Sequence, residues 1–427
     1  MRIHVVKRGD TIWSLARQYR TAVEDIIRLS EPPNPASLVV GQTLLIPTAE
    51  RIHIVKAGDT FYKLGQQYGV SPQRIAQANP GVNPNALRVG QRIIIPEVTA
   101  PKRTIEVNAY IEPKGLQADR EILADVAPYL TYVSVFSYRA TREGGLTAPN
   151  DSVVLQAARD FRIAPLLVMT NFDGTNFNTE IARTVIRNPD VKNRLFDNLV
   201  QTIRQKGFVG VNIDFERVGP EDREAYNQFL RDLEARLDTV GASLSTALAP
   251  KEADWTTGAW HGAHDYRAHG AIVDFTVIMT YEWGWSGGPP YAVAPINKMR
   301  DVLRYAVSVI PSNKILMGFP LYGYDWTLPF VKGTWARGIS PQGAIIQADR
   351  ENVDIQYNET LEAPFYRYYD NQRRQHEVWF EDARSVVAKL DLINEFNLRG
   401  ISYWVLGNDF PQNWVLLADT FTIRKLR

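Results

Sequence analysis

The chain has 427 residues, too many for one ordinary domain, although a single α/β barrel with small attachments would also fill it. Hydrophobic residues make up 45% and charged residues 22%, the balance of a globular protein with a sizeable core, which excludes disordered and fibrous classes. Lys and Arg number 48 against 47 Asp and Glu, so no global field favours nucleic acid or an anionic membrane, and the absence of cysteine excludes disulfides, thiolate metal sites and a cysteine nucleophile.

The N-terminus, MRIHVVKRGDTIWSL, lacks the apolar stretch of a secretory signal, and no run of about 18 uncharged apolar residues follows. No membrane span is expected. Six His argue against a zinc enzyme, and neither metal nor cofactor is expected. The 10 Trp, 19 Tyr and 17 Phe serve the core first, and flat rings of this kind also stack on sugars.

In chain order, the first feature is a tandem repeat. RIHVVKRGDTIWSLARQYRTAVEDI, from residue 2, recurs as RIHIVKAGDTFYKLGQQYGVSPQRI from residue 51, and SLVVGQTLLIP recurs as ALRVGQRIIIP, at one offset without a gap. Each copy reads as strand, helix, helix, strand. An alternating strand runs into Gly-Asp-Thr, where Asp or Thr caps a helix, and a second strand ends at Pro47 or Pro96. A unit of this size without a disulfide suits a binding module better than an enzyme. The copies, 1–48 and 50–97, resemble the LysM family of peptidoglycan and chitin binding modules. That resemblance implies that the loop after the first strand and the loop before the second strand form a groove for N-acetylglucosamine glycans, with Gly9, Asp10 and Thr11, and Gly58, Asp59 and Thr60, near it.

After a short polar linker, 98–103, apolar strand-like runs begin near 104, 132, 163, 208, 243, 275, 314 and 400. Helical patterns separate most of them, such as VKNRLFDNLVQTIRQKG from 191 and REAYNQFLRDLEARL from 223. Eight strands alternating with helices predict a parallel (β/α)8 TIM barrel over 104–427. The interval before the last strand is too long for one crossover and predicts a small α+β insertion at about 326–380.

The fourth run, VGVNIDFERVG from 209, interleaves Val211, Ile213 and Phe215 with Asn212, Asp214 and Glu216. Side chains alternate along a strand, so the polar trio shares the inward face while the apolar residues pack beneath the helices. Burying unpaired carboxylates costs several kcal/mol, so the two acids need either partners, with Arg217 one candidate, or a chemical purpose. Carboxylates two residues apart stand on one wall. They suit an acid with a supporting carboxylate rather than a pair flanking a glycosidic bond from opposite sides.

GVNIDFE resembles the D-G-x-D-x-D-x-E strand of glycoside hydrolase family 18. The likeness continues through IMTYE from 278, GFPLYGYDW from 318 and GISYWVLGND from 400. By that resemblance Glu216 is the acid and base, Asp214 orients the substrate's 2-acetamido group, Tyr281 donates to its oxygen, and Trp404 floors the sugar site. Met279, Glu282, Tyr322, Asn171 and Asn212 are expected to bind substrate. The chain departs from the pattern at Val209 and Asn212, where the family has Asp, so Asp214 lacks the like charge expected to raise its pKa. It departs again at Glu282, where the family has Asp, and at LLVMTNFDG from 166, which lacks the Ser-x-Gly-Gly stretch. Two LysM modules before such a domain resemble the spore-associated N-acetylglucosaminidases that digest cortex peptidoglycan fragments during germination. The resemblance implies a retaining, substrate-assisted hydrolase of the spore coat or cortex, expected as a monomer, with N-acetylglucosamine glycans as partners. A chitinase and a non-catalytic lectin of the same fold are the alternatives.

Overall fold

The structure, a computed structural model, describes residues 1–47, 51–96 and 101–426. Residues 98–100 of the expected linker, the module ends at 48, 50 and 97, and residue 427 lie outside the described residues.

Among the described residues, eight parallel strands close into a barrel: β1 (Thr104–Ile111), β2 (Tyr132–Ala140), β3 (Ala164–Thr170), β4 (Gly210–Asp214), β5 (Ser243–Leu248), β6 (Phe275–Ile278), β7 (Ile315–Pro320) and β8 (Gly400–Trp404). Each pairs with its neighbour in sequence order, and β8 pairs with β1 to complete the ring. All eight lie where the apolar runs place them. Such strands are covered on both faces, which is why they read as nearly continuous apolar stretches.

β1 shows how one strand serves two environments. Ile105, Val107, Ala109 and Ile111 enter the core between barrel and helices. The alternate residues Glu106, Asn108 and Tyr110 point inward at rising levels. At the lowest level the Glu106 carboxylate accepts from Arg399 Nε (2.6 Å), Arg424 Nη1 (2.9 Å) and the Tyr132 hydroxyl (3.1 Å). Above it, Asn108 donates to Ser402 Oγ and accepts from the Ser134 hydroxyl, both at 2.8 Å. Buried polar groups are tolerated because each finds a partner. The top level, at the carboxyl ends of the strands, is where barrel chemistry is placed.

Between β7 and β8 the chain builds a five-stranded antiparallel sheet, in the spatial order Arg337–Ile339, Gly323–Leu328, Gln375–Trp379, Ala363–Tyr369, Gln356–Asn358, with the helix Pro341–Glu351 packed on it. Asp325 ties it together, accepting from His376, Gln347, Arg337 and the Tyr368 hydroxyl at 2.8–3.0 Å.

Each N-terminal copy is a two-stranded antiparallel sheet carrying two helices. The strands are Arg2–Val5 with Thr43–Ile46, and Arg51–Ile54 with Arg92–Ile95. Thr11 and Thr60 cap the first helix of each copy, accepting from the N–H groups of Ser14 and Lys63.

Candidate active site

β4 delivers the two acids. Val211, Ile213 and Phe215 are fully buried in the outer core, while Asn212, Asp214 and Glu216 are buried on the other side. The strand ends at Asp214, so Glu216 stands beyond the ladder and its main chain needs other support. Asn171, at the end of β3 and 0% exposed, provides it. The Asn171 amide donates to Glu216 O (2.8 Å) and accepts from Glu216 N–H (3.0 Å), with a further bond to Asn178 O (3.1 Å). His264 holds the adjacent residue. Its Nδ1 accepts from Ala249 N–H (2.9 Å), which leaves the proton on Nε2 to donate to Phe215 O (3.0 Å). Burial pushes this imidazole down to about 4, so it stays neutral.

Asn171 and Asn212, expected on the substrate, hold protein groups here: Asn171 the Glu216 backbone, and Asn212 side chains of β1 and β5. Asn212 accepts from the Tyr110 hydroxyl (2.8 Å) and donates to Ser245 Oγ (3.0 Å). Tyr110 and His264 escaped the sequence reading. Tyr110 continues the inward alternation of TIEVNAY, a signal that was available, whereas nothing in WHGAHDY marks one His above the other.

The electrostatics of the acids are set by burial. Asp214 Oδ1 and Glu216 Oε2 have no hydrogen-bond partner among the described residues. Arg217 does not pair with them: its backbone is left-handed (φ 55°) and its guanidinium lies 5.6 Å from the centre of the Trp260 ring. Burial pushes Asp214 up to about 7, and the neutral side chain at position 212 adds no like charge to that rise. Glu216 is pushed well above the ordinary carboxylate range by burial and then by the Asp214 charge, with Arg217 opposing. Both carboxyls are thus biased toward their protonated forms, and two acids so close titrate as a pair.

Tyr281 follows β6 and is buried, its hydroxyl held protonated by burial and by the negative groups around it. Gly318 on β7 makes room for its ring, since a Cβ there would lie 2.8 Å from Tyr281 Cε1. Glu282 adopts a left-handed backbone (φ 69°) and accepts from the hydroxyls of Tyr322 and Tyr324, the latter at 2.9 Å. Met279 is half-buried against the outer core. Trp404 ends β8, half-exposed, with Phe136 and Tyr110 edge-on at 4.8 and 5.4 Å.

In the N-terminal copies, Gly9 (φ 90°) and Gly58 (φ 85°) make the turn that leads into the first helix. Asp10 closes that turn, accepting from Lys7 N–H and His4 Nε2 (both 2.8 Å), and Asp59 does the same with Lys56 and His53 (both 2.7 Å).

A parallel eight-stranded barrel with an acid pair at the carboxyl end of β4, Trp404 at the end of β8 and two strand-helix-helix-strand modules defines a glycosidase with appended binding modules, and the chain belongs to glycosyl hydrolases family 18, whose profile matches residues 135–409. LysM domains match residues 4–47 and 53–96. The chain is 56% identical to a cortical fragment-lytic enzyme of Bacillus subtilis, over 100% of this chain and 99% of that protein. A solved structure, the spore cortex-lytic enzyme SleL of Bacillus megaterium, is 46% identical with a TM-score of 0.88 and covers 100% of this chain and 99% of its own. A chitinase from Chromobacterium violaceum is 28% identical with a TM-score of 0.67, over 74% of this chain and 98% of its own.

Proposed function

We propose that this chain hydrolyses β-1,4 bonds at N-acetylglucosamine in spore cortex peptidoglycan by a retaining, substrate-assisted mechanism, gripping the glycan through LysM loops. The observation that carries this reading is the pair of buried, unpartnered oxygens Asp214 Oδ1 and Glu216 Oε2 on one wall of the site. A second carboxylate acting as nucleophile must face the first across the sugar, and one wall does not supply it. The nucleophile is then the carbonyl oxygen of the substrate's own acetamido group.

Glu216, protonated, gives its proton to the glycosidic oxygen as that bond breaks. The acetamido oxygen bonds to the anomeric carbon and forms an oxazolinium ring. Asp214 accepts from the acetamido N–H and balances the positive charge, and the Tyr281 hydroxyl donates to the acetamido oxygen. Glu216, now a carboxylate, takes a proton from the water that opens the ring on the same face as the bond lost, so configuration is retained. Trp404 stacks beneath the sugar.

Kinship to the cortical fragment-lytic enzymes supports cortex peptidoglycan over chitin as substrate, and the spore cortex as the place of action. Mass spectrometry of products from cortex fragments and from chitin oligomers tests this. Faster turnover of cortex fragments is expected, and faster turnover of chitin oligomers assigns the chain to chitinases. Glu216→Gln is expected to lower turnover by about 10²–10⁴-fold, the usual worth of a general acid. Glycans stripped of their N-acetyl groups are expected to resist cleavage. Equal rates for Glu216→Gln and wild type remove the enzymatic assignment of this site.

A further inference from the structure

The two LysM modules are copies in sequence but not in setting. The first lies against the catalytic body. Its Leu29 and Leu45 join the core between barrel and helices, and its Val39 joins the core of the inserted sheet with Ile355, Tyr366 and Val378. Buried Gln412, on the helix Pro411–Thr420, donates to Thr43 O (2.8 Å) and Ser30 O (3.4 Å) and accepts from the Thr43 hydroxyl (3.0 Å). The loop before the second strand is held as well. Ile355 N–H donates to Val40 O (2.8 Å) and Arg384 donates to Gly41 O (3.2 Å).

The second module keeps a core of its own, built on Val55, Phe61, Leu64, Val70, Ile75, Ile93 and Ile95. Its loop at 86–91 turns to solvent, with Val89 71% exposed. Glycine gives a direct comparison. A Cβ on Gly41 would fall 1.8 Å from Ile355 O, whereas one on its counterpart Gly90 meets nothing within 4 Å among the described residues. The sequences differ at three of the positions that touch the catalytic body. Leu29, Val39 and Thr43 of the first copy correspond to Ala78, Arg88 and Arg92 of the second.

We propose that the modules divide the work: the first is a fixed part of the catalytic body with its loop at 37–42 closed to ligand, and the second alone offers a LysM groove to N-acetylglucosamine glycan. This rests on the reading above that the modules grip glycan through these loops. Docking also sets the reach of the second module, which is tied to the body at both ends. At no more than about 3.6 Å per residue, the chain from Pro47 to Arg51 spans at most roughly 14 Å, and that from Pro96 to Pro101 roughly 18 Å. Glycan held by the second module therefore stays close to the barrel.

The local hydrogen bonds of the two loops match, which isolates the effect of docking. Gly41 N–H donates to Val6 O as Gly90 N–H does to Val55 O (both 2.8 Å), and the side chains of Gln42 and Gln91 accept from Val39 and Arg88 N–H. Hydrogen exchange on the full chain carrying Glu216→Gln, with and without a β-1,4-linked N-acetylglucosamine hexamer, tests the proposal. Without glycan, exchange at 37–42 is expected to be at least about tenfold slower than at 86–91. The hexamer is expected to slow 56–60 and 86–91 and to leave 7–11 and 37–42 unchanged. Val39→Arg with Thr43→Arg installs the residues the second module carries; it is expected to speed exchange at 37–42 and make that loop respond to the hexamer. Equal exchange of the two loops in the free protein overturns the docking. If the hexamer slows both modules alike, the division of labour falls. If it slows neither, the glycan-gripping reading falls, and this proposal with it.

Discussion

Asn171→Ala separates two readings of one residue. The substitution removes three hydrogen bonds and leaves the N–H and C=O of Glu216 without their partner at a fully buried position. An unpaired buried group costs roughly 1–3 kcal/mol, so two cost roughly 2–6, partly offset by a water admitted to the hole. The expected net loss is about 2–4 kcal/mol, which a domain stable by about 5–15 kcal/mol survives. Catalysis is expected to suffer more than folding, because the acid sits on the peptide that Asn171 fixes. A displacement of about 1 Å lowers turnover by on the order of 10²-fold. The side chain is closed off from the cleft, so KM is expected to stay within about twofold. Steady-state kinetics on cortex fragments, with melting curves to confirm folding, give both numbers. An unchanged kcat refutes the clamp, and a raised KM with unchanged kcat puts Asn171 back on the substrate.

Asn212→Asp restores the family's acid beside the pair, and like charge raises neighbouring carboxyl pKa values. The alkaline limb of the kcat–pH profile is expected to move upward, and an unmoved limb shows that burial alone sets the pair. Glu216→Gln tests the same burial through stability. A carboxyl raised in the fold stabilises fully below its unfolded value, about 4.3 for Glu, and that contribution is lost as pH rises through the folded value. The variant is expected to gain in melting temperature over wild type at pH 8 and to show no such gain at pH 4. An equal difference at both pH values refutes the raised Glu216. Gly318→Ala drives a Cβ into Tyr281 Cε1 and to 2.5 Å from Ile278 O, so kcat is expected to fall with Tyr281 displaced; wild-type kcat refutes the role given to that hydroxyl.

Whether a feature was legible in the sequence depended on how far away its cause lies. Strands such as FTVIMTY show as short apolar runs and the polar side of β4 as alternation, both within a few residues, so the barrel and the acid pair could be read directly. The duties of Asn171 and Asn212 depend on Glu216, Tyr110 and Ser245, which lie 33 to 102 residues away in the chain. Sequence could place these amides at the site but not say what they hold. The missing like charge at position 212 could be read from the motif, whereas the rise that burial gives Asp214 depends on enclosure by the whole barrel. Docking of the first module is a third kind of case. The repeat pattern that defines the module is blind to it, because both copies need the same internal core. It shows only where the copies differ, at Val39 against Arg88 and Thr43 against Arg92, and a duplicated sequence is informative there because the shared fold cancels and the difference in setting remains.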